Sequence, residues 1–146
     1  MVGGYSLILR GKFRGSEIVI KKIFDPVITE ELMEEFSNEV DMLATIRHPF
    51  VVLMMGYCLV PTNLVIIFEH CSRGSLYDVL HKGGEPLSKT IKSKITLQIA
   101  TAFTFLHKSE VVHRDLKSHN VLLDDNYGVK ICDFGIARYF VGFFFG

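Results

Sequence analysis

Residues 113–135 read HRDLKSHNVLLDDNYGVKICDFG. Inside this stretch two three-residue apolar runs, Val121–Leu123 and Val129–Ile131, flank Asp124, Asp125, Asn126, Tyr127 and Gly128, all of them turn residues or tolerated in turns. The pattern predicts a tight β-hairpin, and folding it brings its two outer ends together. Asn120 precedes the first run, while Cys132 and Asp133 follow the second, so an amide oxygen and a carboxylate are expected side by side. Hard oxygen ligands in that arrangement suit Mg²⁺, which takes one or two protein ligands and leaves its other positions to water and phosphate oxygens.

Upstream of the hairpin the pattern is helical. Ile91, Ile95, Ile99, Ala102, Phe103 and Leu106 recur at helical spacing after a capping Ser88, and GSLYDVLH at 74–81 reads as a shorter helix before the Gly83 to Pro86 loop. Ahead of EHCSRG at 69–74 the chain is mostly sheet. LILRGKF and EIVIKKI pair around Arg14, Gly15 and Ser16, and VVLMMGYCLV and NLVIIFE pair around Pro61, Thr62 and Asn63. One helix interrupts them: Leu32, Phe36, Val40 and Leu43 mark its buried stripe, Thr29 caps it and Pro49 stops it. The expected class is α+β in two lobes, a β-rich lobe over 1–69 with one helix and a helical lobe over 70–138, followed by an aromatic tail at 139–146.

Glu39 stands out within that helix. It lies three residues after Phe36 and four before Leu43, at the edge of the apolar stripe, where an unpaired carboxylate is costly to desolvate. It therefore needs a cation, unless it is one more partly exposed acid of the run Glu30 to Glu39.

Composition excludes several classes. The 16 basic and 16 acidic residues cancel, so no basic field calls for nucleic acid or a membrane surface. Three scattered cysteines, Cys58, Cys71 and Cys132, fit neither a disulfide framework nor a zinc site and point to a reducing, cytoplasmic setting. No secretory signal is read in Met1 to Arg10, and no apolar run reaches membrane-spanning length.

The segment HRDLKSHN resembles the catalytic loop of protein kinases, and Asp133, Phe134 and Gly135 resemble their DFG motif. That resemblance implies a two-lobed kinase-like fold that uses ATP and Mg²⁺. Asp115 would accept or orient the proton of a substrate hydroxyl, Asn120 and Asp133 would hold Mg²⁺, and Gly135 would let the chain turn away from the metal. Lys117, two places after Asp115, resembles the serine/threonine and tyrosine-kinase-like groups. Upstream, IVIK resembles the family's V-A-I-K strand, which makes Lys21 the phosphate-binding lysine and Glu39 its partner. Val19 stands where alanine usually packs the adenine ring, and its two extra methyls narrow that space. The glycine-rich loop is mostly absent: Gly3 and Gly4 remain, Ser6 falls at the third glycine, Ile8 at the valine and Met1 at the first glycine. RHPFVV resembles the family's turn after the helix. Phe68 would stand behind the adenine, and the backbone of Glu69 and Cys71 would face its edge. Leu43, Met54, His113 and Phe134 resemble the family's stack of apolar side chains linking the lobes. Cys132, beside the metal acid, reads either as a reactive thiol or as a buried inert one.

The resemblance covers residues 3–138 and implies transfer of the γ-phosphoryl group of ATP to serine or threonine of a protein substrate. A complete domain of this kind needs about 250 residues, so the expectation is a chain truncated after the DFG motif, with the stripe of 91–106 partly uncovered. The competing expectation is an inactive fragment or pseudokinase that binds nucleotide or a partner. YFVGFFFG, after Arg138, resembles nothing in the family and reads as a truncated or misread coding end.

Overall fold

The computed structural model describes residues 6–24, 27–83 and 86–140, which form two compact units. The first spans Met1–Arg47 and Val52–His70, the second His48–Val51 and Cys71–Gly146.

The first unit is a four-stranded antiparallel sheet with one helix. Strands β1 (Ser6–Phe13) and β2 (Ser16–Ile23) form the expected hairpin, closed by Arg14 and Gly15, both at positive φ (50° and 84°). Two left-handed residues in a two-residue loop match the right-handed twist of the strands, and glycine takes the second without strain. Strands β3 (Met54–Val60) and β4 (Asn63–Glu69) complete the sheet in the order β1-β2-β4-β3. Helix α1 (Glu30–Thr45) starts where Thr29 accepts a hydrogen bond from the Leu32 amide at 3.1 Å, with Glu30 and Glu31 in its first turn complementing the helix dipole. Its inner face buries Leu32, Phe36, Glu39, Val40, Met42 and Leu43.

One expectation needs correction here. The apolar run 51–60 is not a single strand: β3 begins only at Met54, and Val51 bridges Ile131 within the second unit, where the Phe50 carbonyl accepts from the Ile131 amide at 2.9 Å. The three apolar residues ahead of Met54 look like strand because periodicity sees side chains and not partners. Leu53 is held by Glu69 instead, whose carboxylate accepts from the Leu53 amide at 2.8 Å. Lys22, next to Lys21 on β2, donates to Asn63 Oδ1 at 3.1 Å.

In the second unit β5 (Gly74–Ser75) leads into helix α2 (Leu76–His81), followed by helix α3 (Lys89–Lys108) and strand β6 (Val111–Val112). Ser88 caps α3, accepting from the Ile91 amide at 3.2 Å. Of the expected stripe, Ile95, Ala102 and Leu106 are buried, whereas Ile91, Ile99 and Phe103 are only half covered. A 3₁₀ turn (Ser118–Asn120) enters β7 (Val121–Leu123), which pairs antiparallel with β8 (Val129–Ile131), and β9 (Arg138–Tyr139) returns to pair with β6. Val121, Leu123, Val129 and Ile131, at most 1% exposed, form the core of this unit with Leu106 and Val111. The hairpin tip is pinned: the Asp124 carboxylate accepts from the amides of Asn126 (2.8 Å) and Gly128 (2.7 Å), and the Arg73 guanidinium lies 4.0 Å from the Tyr127 ring centroid. Of the aromatic tail, Tyr139 and Phe140 are described; 141–146 lie outside the described residues.

Candidate active site

In the first unit β2 carries Val19 and Lys21, two residues apart and hence on one face. Across the sheet, Ile8 and Ile66 flank Lys21, while Phe68 is the cross-strand neighbour of Val19. The Lys21 ammonium donates to both Glu39 oxygens, at 2.8 Å each, so the carboxylate that α1 buries has the cation it needs. Its side chain is 7% exposed, and the alternative of a partly exposed acid is ruled out. Glu69 ends β4 with its amide donating to the Leu53 carbonyl at 3.1 Å. Ser6 opens β1, whereas Gly3 and Gly4 lie outside the described residues. Cys71, the first residue of the long segment of the second unit, is buried.

The second unit gathers the rest. Closing the β7–β8 hairpin places the Cys132 amide on the Asn120 carbonyl at 3.0 Å, so its two outer ends do meet. Asn120, 6% exposed, donates from Nδ2 to both the backbone oxygen and Oδ2 of Asp115, at 2.9 Å each. With both amide protons committed, Oδ1 accepts no hydrogen bond among the described residues and is left as a hard ligand. Lys117 Nζ lies 2.9 Å from the same Asp115 Oδ2. The hydrogen bond from Lys117 holds the Asp115 carboxyl below its ordinary value of 3.8, and that from Asn120 adds to this against a partial desolvation that pushes upward. Lys117 is correspondingly raised above 10.5, chiefly by its bond to Asp115, with a smaller push from the charge of Asp133.

His113 is the pivot of the loop. Its Nδ1 accepts from the Asp115 amide at 3.2 Å, which leaves Nε2 to carry the proton and donate to the Cys132 carbonyl at 2.9 Å. The ring is 1% exposed and meets Phe134 edge-on, with centroids 4.9 Å apart. It therefore ties the loop before Asn120 to the strand end before Asp133.

Asp133 itself is exposed, with φ +64°, next to a Phe134 that is 1% exposed. The chain turns at Gly135 and Ile136, where the Ala137 amide donates to the Phe134 carbonyl at 3.0 Å, and the backbone at the acid itself is left-handed. Aspartate tolerates that conformation better than most residues. Arg114 shares it (φ +66°) and donates from Nε to the Ile136 carbonyl at 2.6 Å.

The donor set fits Mg²⁺: an exposed carboxylate in no ion pair among the described residues, and an amide oxygen freed by the orientation of its own NH₂. No group of three or more histidine, cysteine, aspartate or glutamate residues is placed to hold a metal among the described residues, so phosphate and water would have to complete the shell. What the sequence did not reveal is the role of the Asn120 NH₂ and of both His113 nitrogens, which depends on chain reversals that spacing alone does not define.

The chain matches the protein tyrosine and serine/threonine kinase family over residues 2–142. It is 41% identical over 137 residues to a probable serine/threonine-protein kinase of Dictyostelium discoideum, covering 93% of this chain and 15% of that protein. Identity to the probable serine/threonine-protein kinase SIS8 of Arabidopsis thaliana is 41% over 139 residues (94% and 14%), and to the serine/threonine-protein kinase CTR1 of the same plant 39% over 140 residues (93% and 17%). The chain thus spans about a seventh of the length of these relatives.

Proposed function

This chain belongs to the protein tyrosine and serine/threonine kinase family, and from that premise we propose that it carries out phosphoryl transfer from ATP to serine or threonine of a protein substrate. The relatives named above, all serine/threonine kinases by name, support the choice of acceptor, as does Lys117. Members of the family generally use ATP and Mg²⁺, which would neutralise phosphate charge as the γ-phosphoryl group leaves.

The observation that carries the proposal is the Asp115–Asn120–Lys117 cluster. Asp115 orients the acceptor hydroxyl through a carboxylate oxygen. A carboxylate made less basic by two donors is a weak general base, so alignment rather than proton abstraction is its main contribution. Lys117, half exposed, can turn its ammonium from Asp115 toward phosphate oxygens. Asn120 Oδ1 and the Asp133 carboxylate would hold the metal. Lys21, fixed by Glu39, would meet phosphate charge, with Val19, Phe68 and the backbone of Glu69 and Cys71 toward the adenine, and Gly3, Gly4, Ser6 and Ile8 toward the phosphates.

The test is phosphate transfer from radiolabelled Mg-ATP to a generic protein substrate by the full chain, with Asp133→Ala as control. Label incorporation lost in the variant is the expected result. A folded chain that binds nucleotide and never transfers label would overturn the activity and leave a nucleotide-binding kinase relative.

A further inference from the structure

Asn120 sits on a short support. The 3₁₀ turn that carries it is three residues long, its cap residue Lys117 makes no side-chain hydrogen bond to it, and one backbone bond, Asn120 amide to Lys117 carbonyl at 2.9 Å, closes it. Short 3₁₀ segments have poorer hydrogen-bond geometry than α-helix, so packing has to fix such a turn. Beside the bonds of Asn120 to Asp115 and Cys132, part of that packing comes from α2. The Tyr77 ring stacks on the ring of His119, the residue next to Asn120, with centroids 3.9 Å apart and planes 19° from parallel.

Tyr77 is itself on a firm platform. Ser75 caps α2, accepting from the Asp78 amide at 3.1 Å and donating to its Oδ2 at 2.6 Å, and Lys82 pairs with the other Asp78 oxygen at 2.7 Å. One turn on, His81 lies 4.5 Å from the Tyr77 ring. His119 is exposed, so its position is not enforced by burial in the core. Its ring contact among the described residues is with the face of the tyrosine.

We propose that Tyr77 is a positioning residue: through its stack on His119 it fixes the turn that aims Asn120 Oδ1 at the metal and Asn120 Nδ2 at Asp115. This rests on the phosphoryl-transfer reading. Partners one shell out from a metal ligand orient the ligand and change its affinity even though they never touch the ion.

The probe is Mn²⁺, titrated by electron paramagnetic resonance into the full chain with the non-transferable ATP analogue adenylyl imidodiphosphate, alongside thermal melting and amide hydrogen exchange at Asn120. Tyr77→Leu keeps apolar bulk and removes the aromatic face. It should weaken Mn²⁺ binding on the order of tenfold, leave the melting temperature near that of the parent, and speed exchange at the Asn120 amide. Tyr77→Phe, which keeps the ring, should restore all three. Unchanged Mn²⁺ affinity in Tyr77→Leu, or a Tyr77→Phe as weak as the leucine variant, overturns the proposal. Should Tyr77→Leu fail to fold, His119→Ala removes the stack from its exposed side, and unchanged affinity there overturns it equally. If the parent chain binds no Mn²⁺ with the analogue, the phosphoryl-transfer reading falls, and Asn120 exchange alone decides the stack: faster exchange in Tyr77→Leu upholds it, equal exchange rejects it.

Discussion

Each unit carries, among its candidate site residues, a lysine–carboxylate pair of almost the same length. Lys21 meets Glu39 at 2.8 Å in the first, and Lys117 meets Asp115 at 2.9 Å in the second. They differ in burial: side-chain exposures are 18% and 7% for the first pair, 51% and 29% for the second. That difference decides what each pair can do. A carboxylate buried on the inner face of α1 cannot lose its cation without remaining as an uncompensated buried charge, so the first pair locks strand to helix. A pair in contact with water has little to lose when it opens, because hydration replaces the partner. The second pair is therefore free to exchange partners during a reaction.

The most severe test removes the charge of Asp115. Asp115→Asn should lower the rate of phosphate transfer by at least about 10²-fold, the cost of a misaligned hydroxyl, while the thermal midpoint stays in place. A variant that melts early would show that the second pair is structural as well, and the contrast would collapse. Next in size is Lys21→Met, which strands Glu39. It should destabilise the chain by about 3 kcal/mol, the low end for a broken buried pair because Lys21 keeps some exposure. Urea unfolding measures this. The double variant Lys21→Met/Glu39→Leu should recover most of the stability and none of the transfer. A double variant no more stable than the single one would mean that the stranded charge is not the cause.

The two pairs were not equally legible beforehand. Spacing raised Glu39 as a question: an acid at the edge of a 3.6-residue apolar stripe needs a cation unless it is partly exposed, and the structure buries it and supplies the cation from β2. The hairpin of β7 and β8 was equally plain, since five turn residues between two apolar triplets leave few alternatives. The bonds around Asp115 were not. The residues from His113 to Asn120 alternate between buried and exposed without a helix or strand period, so no rule of spacing tells which nitrogen of His113 faces which backbone group. The strand start at Met54 failed for a related reason: Val51 is apolar because it packs beside Ile131, far away in sequence.

A smaller effect is the response of the second pair to pH. Asp115 is held below its ordinary 3.8 chiefly by Lys117, so the ionised form is favoured, present in full above that value and lost only as pH falls through the lowered one. Lys117 is raised, so it stays charged past 10.5. Neither group should titrate near neutrality. In Lys117→Met the largest acidifying partner is gone, and the acid limb of the transfer rate should move to higher pH, read from rates between pH 3 and 6. A limb that stays put would assign the depression to Asn120.

The smallest effect probes the strand of the buried pair. Val19 shares a face of β2 with Lys21 and is the cross-strand neighbour of Phe68, so one surface carries both the locked lysine and the side chains proposed to meet the adenine. Removing two methyls from a half-buried valine should reduce stability by about 1 kcal/mol. If the methyls crowd the ring, the same change should tighten nucleotide binding by about threefold, the opposite sign from stability. Val19→Ala, titrated with a fluorescent ATP analogue and unfolded in urea, gives both numbers from one protein. Losses in both would show that Val19 supports the sheet and presses on nothing. Opposite signs would show that the first unit accepts a poorer fit for nucleotide in exchange for a better packed strand beneath Lys21, whereas the exposed pair of the second unit is under no such conflict.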